Sequence, residues 1–402
     1  MDTINQSATR PRVFLGILFA LGASHLLNDT IQSLIPAVYP ILQRDFALDL
    51  AQIGIITLTF QLAGSLLQPL VGLYTDRHPL PYSTVIGLAF SLGGVVWLAY
   101  AHSYGQILFA VTLIGIGSSV FHPEATRSAR HASGGRQGLA QGIFQVGGQL
   151  GGALGPLLAA LIIVPRGQAS LSWFAAMALL AMVLMGWTAR HHATIRSHFM
   201  TAHTTGSGGH PDRSPYPREI VARGLVVLSV LMFSKLAYLE SFRSFYTFYL
   251  IDRFDVSIPQ SQMMLFVFFI ASAVGVLLGG IVGDRIGRYR IIWISILGPL
   301  PFTLLLPYAD LFWTGALTVL INLVMASAFA SIMIYAMDLV PHRIGLIGGL
   351  FYGLNFGLSG IAAALLGIWA DSVGIETVYV MCSFLPLVGL LTFLLPRLEA
   401  RR

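Results

Sequence analysis

The stretch Gly72-Leu73-Tyr74-Thr75-Asp76-Arg77 has a counterpart 208 positions further on, Gly280-Ile281-Val282-Gly283-Asp284-Arg285. Each Gly-x-x-x-Asp-Arg copy closes a long apolar run. A second pair fixes the register: Arg136-x-Gly138-Leu139-x-x-Gly142-x-Phe144 recurs 207 positions on as Arg343-x-Gly345-Leu346-x-x-Gly349-x-Phe351, and each copy opens an apolar run. Two matches at nearly one offset make the chain two parallel repeats, related by an axis along the membrane normal.

The rest of the sequence supplies the medium. Hydrophobic residues make up 55% of the chain, charged residues 10%, and the mean hydropathy is +0.76. A soluble protein carries roughly a quarter charged residues. A crossing helix needs roughly 20 apolar residues, so 402 residues hold about a dozen crossings and leave no length for a large catalytic domain outside the bilayer. Apolar runs near 13–43, 50–75, 83–102, 106–131, 137–164, 170–189, 220–251, 259–283, 290–308, 311–338, 343–370 and 374–396 predict an all-α membrane protein of twelve transmembrane helices. They group as two six-helix bundles, 1–189 and 220–402, joined by a cytoplasmic linker at 190–219.

That linker is rich in His, Thr, Gly, Ser and Pro, and lacks the apolar content to build a core. Five of the eleven histidines (His191, His192, His198, His203, His210) fall between 190 and 219. Their irregular spacing, without an accompanying carboxylate or thiol cluster, reads as a solvated connection rather than a metal tract. Cys382 is the only cysteine, so neither an internal disulfide nor a Cys-based metal site is available. No metal is expected. The N-terminal residues are polar and lead straight into the first apolar run, without the pattern of a cleaved signal peptide.

Orientation follows from the basic residues. With both termini cytoplasmic, eighteen of the twenty-three Lys and Arg lie on that side, and only Arg44, Arg166 and Arg253 lie outside. This is the asymmetry the positive-inside rule requires. A net charge of +6 is thereby explained by topology, and no nucleic-acid partner is expected. The remaining two, Lys235 and Arg243, fall inside the seventh predicted helix.

The repeated Gly-x-x-x-Asp-Arg patterns resemble the loop motif of the major facilitator superfamily, and the resemblance covers essentially the whole chain. The second copy, continuing Ile286-Gly287-Arg288, is the fuller; in the first, His78-Pro79-Leu80-Pro81 stands where glycine and basic residues are usual. Gly147-x-x-x-Gly151-x-x-x-Gly155-Pro156 resembles the superfamily's antiporter signature, with Ala159-Ala160 where two more glycines are usual. Small residues every fourth position also allow two helices to approach closely. Ser24–Asp29, Gln61–Pro69, Ser118–Glu124, Phe144–Gly148 and Tyr246–Leu250 resemble bacterial inner-membrane drug exporters of this superfamily. The resemblance implies a monomeric, proton-driven antiporter that exports small anionic drugs, phosphonates first, without a cofactor. It also implies that Asp76, Arg77, Asp284 and Arg285, with Arg136, Arg343 and Asp338, form a cytoplasmic charge network that gates the transport cycle.

Ionisable groups within a bilayer are costly, which makes them functional candidates. His25, Asn28 and Asp29 stand at i, i+3 and i+4 on one face of the first helix. The fourth helix carries His122-Pro123-Glu124 and Arg127; Glu124 is the leading proton carrier, with Asp29 and His122 beside it, and a Glu124–Arg127 pair that merely holds the helix is the alternative. On the seventh helix an i, i+3 pair of Glu240 with Arg243 is expected, Glu240 being a further coupling candidate. Lys235 has no acid at i±3 or i±4. It needs Asp29, Glu124 or an anionic ligand as its partner. His25, Gln145, Gln149 and Tyr246 complete the expected substrate site together with Lys235 and Arg243. Gly115-x-Gly117 and the glycines of the fifth helix have no preceding strand or Walker lysine, so ATP is not the energy source. Two alternatives remain: a proton-coupled importer of a sugar or organic anion, and a polytopic enzyme using His122 and Glu124 as acid and base.

Overall fold

The computed structural model describes residues 13–78, 80–134, 136–191, 216–340 and 344–396. In the first half of the chain the main helices are α1 (Leu15–Ala37), α2 (Leu50–Arg77), α3 (Ser83–Ala99), α4 (Tyr104–Ala132), α5 (Gln137–Leu158) and α6 (Ala175–Arg190). In the second they are α7 (Arg218–Phe254), α8 (Ile258–Ile286), α9 (Arg288–Leu297), α10 (Leu311–Ala326), α11 (Ile344–Val373) and α12 (Ile375–Cys382). Among the described residues eight helical spans are long and apolar enough to cross a membrane, and Ser83–Ala99, Leu311–Ala326 and Gly357–Val373 are shorter apolar helices.

Several predicted runs prove to be broken helices. The run 13–43 divides into α1 and Tyr39–Phe46, with Pro36 near the end of the first piece and Pro40 near the start of the second. Proline has no N–H to donate to the preceding turn, so the ladder cannot run through unchanged. After Pro156, α5 continues as a π-helical turn at Ala159–Ile163. The run 290–308 is interrupted at Gly298-Pro299 and resumes at Leu300–Leu305, while α10 is followed by a separate helix at Phe329–Leu339.

Within the first half α5 lies almost against the backbone of α1. A Cβ on Gly147 would fall 2.1 Å from the Gly22 carbonyl oxygen, and one on Gly151 would fall 2.3 Å from that of Leu26. The glycine repeat of α5 is thus a contact face, the close approach that small residues permit between helices in lipid.

The two ends of the molecule are packed differently. At the end bearing residues 37–50 one apolar cluster runs through both halves, from Ile31, Leu42 and Ile53 to Phe245, Ala363 and Ile375. Polar bonds close the same seam. The N–H groups of Leu50 and Ala51 donate to Asp371 at 3.0 and 2.7 Å, Gln262 Nε2 donates to the Ala37 carbonyl at 2.8 Å, and Thr57 Oγ1 meets Ser244 Oγ at 3.2 Å. At the opposite end the core splits into one cluster of the first half (Leu18, Phe121, Phe144, Met185) and one of the second (Leu228, Ile292, Ile332, Phe351). The halves are joined at one end and packed separately at the other.

Candidate functional site

Asp29 is the centre of the polar cluster in the first half. His25 stands one turn before it on α1, and its Nε2 lies 3.2 Å from Asp29 Oδ2. His122 reaches across from α4, its Nε2 3.4 Å from Asp29 Oδ1. Asn28 Nδ2 and Gln32 Nε2 donate to the same Oδ1 at 3.0 and 3.3 Å. Ser118 Oγ in turn donates to Gln32 Oε1 at 3.1 Å.

Both imidazoles are fixed from behind. His25 Nδ1 lies 2.7 Å from the Phe144 carbonyl oxygen, and His122 Nδ1 lies 3.0 Å from that of Ser118. A carbonyl only accepts, so each Nδ1 carries its hydrogen and each Nε2 is directed at the carboxylate. The His25 ring also stacks on Phe144, centroids 3.9 Å apart. Room for it depends on Gly148 of α5, where a Cβ would fall 2.5 Å from His25 Nε2 and 3.0 Å from Asp29 Oδ2. His25 is buried, whereas the side chains of Asp29 and His122 keep 24% and 18% of their surface open.

Glu124 is not part of this cluster. Residues 122 and 124 are two positions apart on one helix, about 200° around its axis, so they present to different neighbours. Glu124 accepts from Thr75 Oγ1 at 2.5 Å and pairs with Arg127 Nη1 at 3.1 Å, and Arg127 Nη2 also donates to Thr75 at 2.9 Å. The triad, with Glu124 and Thr75 buried and Arg127 half-buried, ties α4 to the end of α2.

On α7 the outcome differs from the sequence expectation twice. Lys235, 5% exposed, donates to Ser295 Oγ at 3.4 Å, and among the described residues no carboxylate lies within ion-pair distance of it. Asp29 and Glu124 are not its partners, because each is already engaged within the first half. Glu240 and Arg243 form no ion pair either: Ser244, one turn on, takes Glu240 Oε1 at 2.6 Å, and Gln61 of α2 lies beside the carboxyl. Glu240 Oε2 and Arg243 Nε are buried without a hydrogen bond of good geometry. Arg243 is close enough to act electrostatically on both Glu240 and Lys235.

The remaining candidates fall into three groups. Tyr246 is fully buried in the packing of α7, accepts from Thr318 at 3.1 Å and belongs to an aromatic cluster with Phe242, Phe268 and Tyr379. Gln145 and Gln149 are half-buried on α5, on either side of the turn that meets His25. Asp338 pairs with Arg288 of the fuller loop-motif copy, while Arg136 and Arg285 are exposed. Asp76, Arg77 and Asp284 lie at helix ends with side chains outside the described set, and Arg343 and four of the five linker histidines lie outside the described residues. Asp371, Gln32 and Ser295 escaped the sequence reading, and Ser118 entered it only through the resemblance, since an isolated Ser, Gln or helix-end Asp carries no signal until its partner on another helix is known.

Helical halves that join at one end, part at the other and bury ionisable groups between bilayer-length helices define a multi-pass membrane transporter. The chain belongs to the Major Facilitator Superfamily, whose model matches residues 21–246 and 225–402. It is 53% identical over 393 residues to the fosmidomycin resistance protein of Escherichia coli (strain K12), covering 97% of this chain and 95% of that one. It is 40% identical over 380 residues to the uncharacterized MFS-type transporter YfnC of Bacillus subtilis (strain 168), covering 94% and 92%. Among solved structures it resembles a mutant form of the nucleoside transporter NupG, with a TM-score of 0.69 at 14% identity, covering 94% and 98%. It also resembles a bacterial homologue of the human lysosomal transporter Spinster, with a TM-score of 0.67 at 15% identity, covering 94% of each chain. These likenesses establish a transporter and set aside the polytopic enzyme.

Proposed function

We propose that the protein is a proton-coupled exporter of small anionic solutes, fosmidomycin-like phosphonates first, in the bacterial inner membrane. In this reading it crosses the bilayer twelve times with both termini cytoplasmic, and residues 1–189 and 220–402 rock about a central site. The split end then faces the cytoplasm.

The observation that carries the substrate charge is the basic pair on α7. Lys235 and Arg243 are buried and half-buried, near enough to repel each other, and Lys235 has no acidic partner within ion-pair distance among the described residues. A buried cation without a counter-ion is expensive; Arg243 has Glu240 near it, and an anionic ligand beside Lys235 supplies the charge that Lys235 lacks. The relative's association with resistance to fosmidomycin supports the choice of a phosphonate. Asp29, between two imidazoles, is the proton-exchanging group; Glu124, held by Arg127 and Thr75, is the second candidate, and Glu240 the third. Gln145 and Gln149 border the path.

Transport by purified protein in proteoliposomes tests the assignment. Phosphonate movement driven by a pH gradient is expected, with collapse in Asp29→Asn and a much weaker response in Lys235→Ala. Unchanged phosphonate binding in Lys235→Ala would remove the anion site, and unchanged coupling in Asp29→Asn would remove that carboxylate. Counterflow in vesicles of known orientation separates export from import.

A further inference from the structure

The ring nitrogens of His25 and His122 converge on one carboxylate, and proton exchange at Asp29 does not require two imidazoles aimed at it. Each Nδ1 is committed to a backbone carbonyl, at 2.7 Å for His25 and 3.0 Å for His122. In the neutral rings, therefore, each Nε2 presents a lone pair to an Asp29 oxygen. Lone pair against carboxylate is repulsive unless a cation lies between them. Protons alone meet that need only when two are bound, as two imidazolium ions or as one imidazolium and a protonated carboxyl, whereas a single divalent ion satisfies all three ligands together.

We propose that His25, Asp29 and His122 form a binding site for a divalent transition-metal ion of the zinc type. One ligand atom from each residue lies within 4.8 Å of the other two. A tetrahedral ion with bonds of about 2.0–2.1 Å sets neighbouring donors about 3.3–3.4 Å apart. Each imidazole stands about one such edge from an oxygen of the same carboxylate, His25 Nε2 3.2 Å from Oδ2 and His122 Nε2 3.4 Å from Oδ1. A backbone carbonyl behind a ligating imidazole is the usual outer support of such sites, because it fixes the tautomer and the ring plane. Asn28 and Gln32 supply the same support to the carboxylate. Two imidazoles and one carboxylate favour zinc, cobalt, nickel or copper over magnesium or calcium, which prefer all-oxygen shells.

Three ligands leave a fourth position for water, and the partial exposure of Asp29 and His122 gives an ion a way in. Bound there, the ion ties α1 to α4 and occupies the atoms that would otherwise take up protons. Metal binding and proton binding are competitive at this cluster. The binding test is independent of which solute is carried.

The five histidines at 191–210 are a second source of imidazole, so the test uses full-length protein with all five replaced by Gln. Zn2+ is titrated against a fluorescent zinc indicator in detergent at neutral pH. One ion per chain is expected, with affinity at least tenfold weaker in His122→Gln and Asp29→Asn. Binding that is absent at 100 µM free Zn2+, or unchanged in both variants, overturns the proposal and leaves a proton site only. Should a variant not fold, Zn K-edge absorption on the protein with intact ligands decides: a light-atom shell containing imidazoles supports the site, and a shell without them overturns it.

Discussion

The buried charges of the two halves are handled in opposite ways. In the first half the described buried acids have company: Asp29 has two imidazoles and two amides, and Glu124 has Arg127 and Thr75. In the second half Lys235 has one long hydrogen bond to a serine, and the Nε of Arg243 and one oxygen of Glu240 have no well-formed bond. A satisfied buried charge holds structure together, whereas an unsatisfied one represents a cost borne for a ligand or a proton. Substitution of Glu124 should therefore cost stability, and substitution of Lys235 should cost binding.

The sharpest break comes from the contact on which the first half is built. Gly147→Val places a branched side chain where even a Cβ falls 2.1 Å from the Gly22 oxygen. α1 and α5 cannot then approach, and the expected result is loss of monodisperse protein on size-exclusion chromatography. Next is Glu124→Ala, which removes the carboxylate that Arg127 and Thr75 share. Breaking a buried pair costs about 3–5 kcal/mol, read as a clear drop in thermal midpoint in detergent. Glu124→Gln, which keeps a hydrogen-bond acceptor for Thr75 and Arg127, should fall between Glu124→Ala and the unsubstituted protein.

On the other side of the comparison, Lys235→Met should leave the thermal midpoint level or raise it, since an unpaired buried cation is removed. The same variant should weaken phosphonate binding tenfold or more, about 1.4 kcal/mol, by isothermal calorimetry. A stability loss as large as that of Glu124→Ala would erase the distinction between the halves. The smallest effect is expected at the sealed end. Asp371 caps the first turn of α2 from the other half, and losing such a cap costs about 0.5–2 kcal/mol. Asp371→Ala should therefore shift the population toward opening at that end by severalfold, measured as longer distances between spin labels across the seam.

How much of this was legible in the sequence depends on how local the signal was. His25 and Asp29 share a face of α1 because four residues make about one helical turn, and that needs no tertiary information. The same geometry, applied to residues 122 and 124, separates His122 from Glu124. The glycine repeat of α5 was visible as a pattern, but its partner, the backbone of α1 at Gly22 and Leu26, was not. The i, i+3 spacing of Glu240 and Arg243 permitted a pair that does not form, because Ser244 at i+4 competes for the same carboxylate.

By itself the sequence determined the medium, the helical class and the two-fold repeat, for these follow from apolar length, charge scarcity and a repeated motif. Only the tertiary structure decided that His122 meets Asp29, that Glu124 turns to Thr75 and that, among the described residues, no acid comes within ion-pair distance of Lys235. Helix periodicity fixes which residues share a face, but which face another helix covers is set by packing between segments a hundred residues apart.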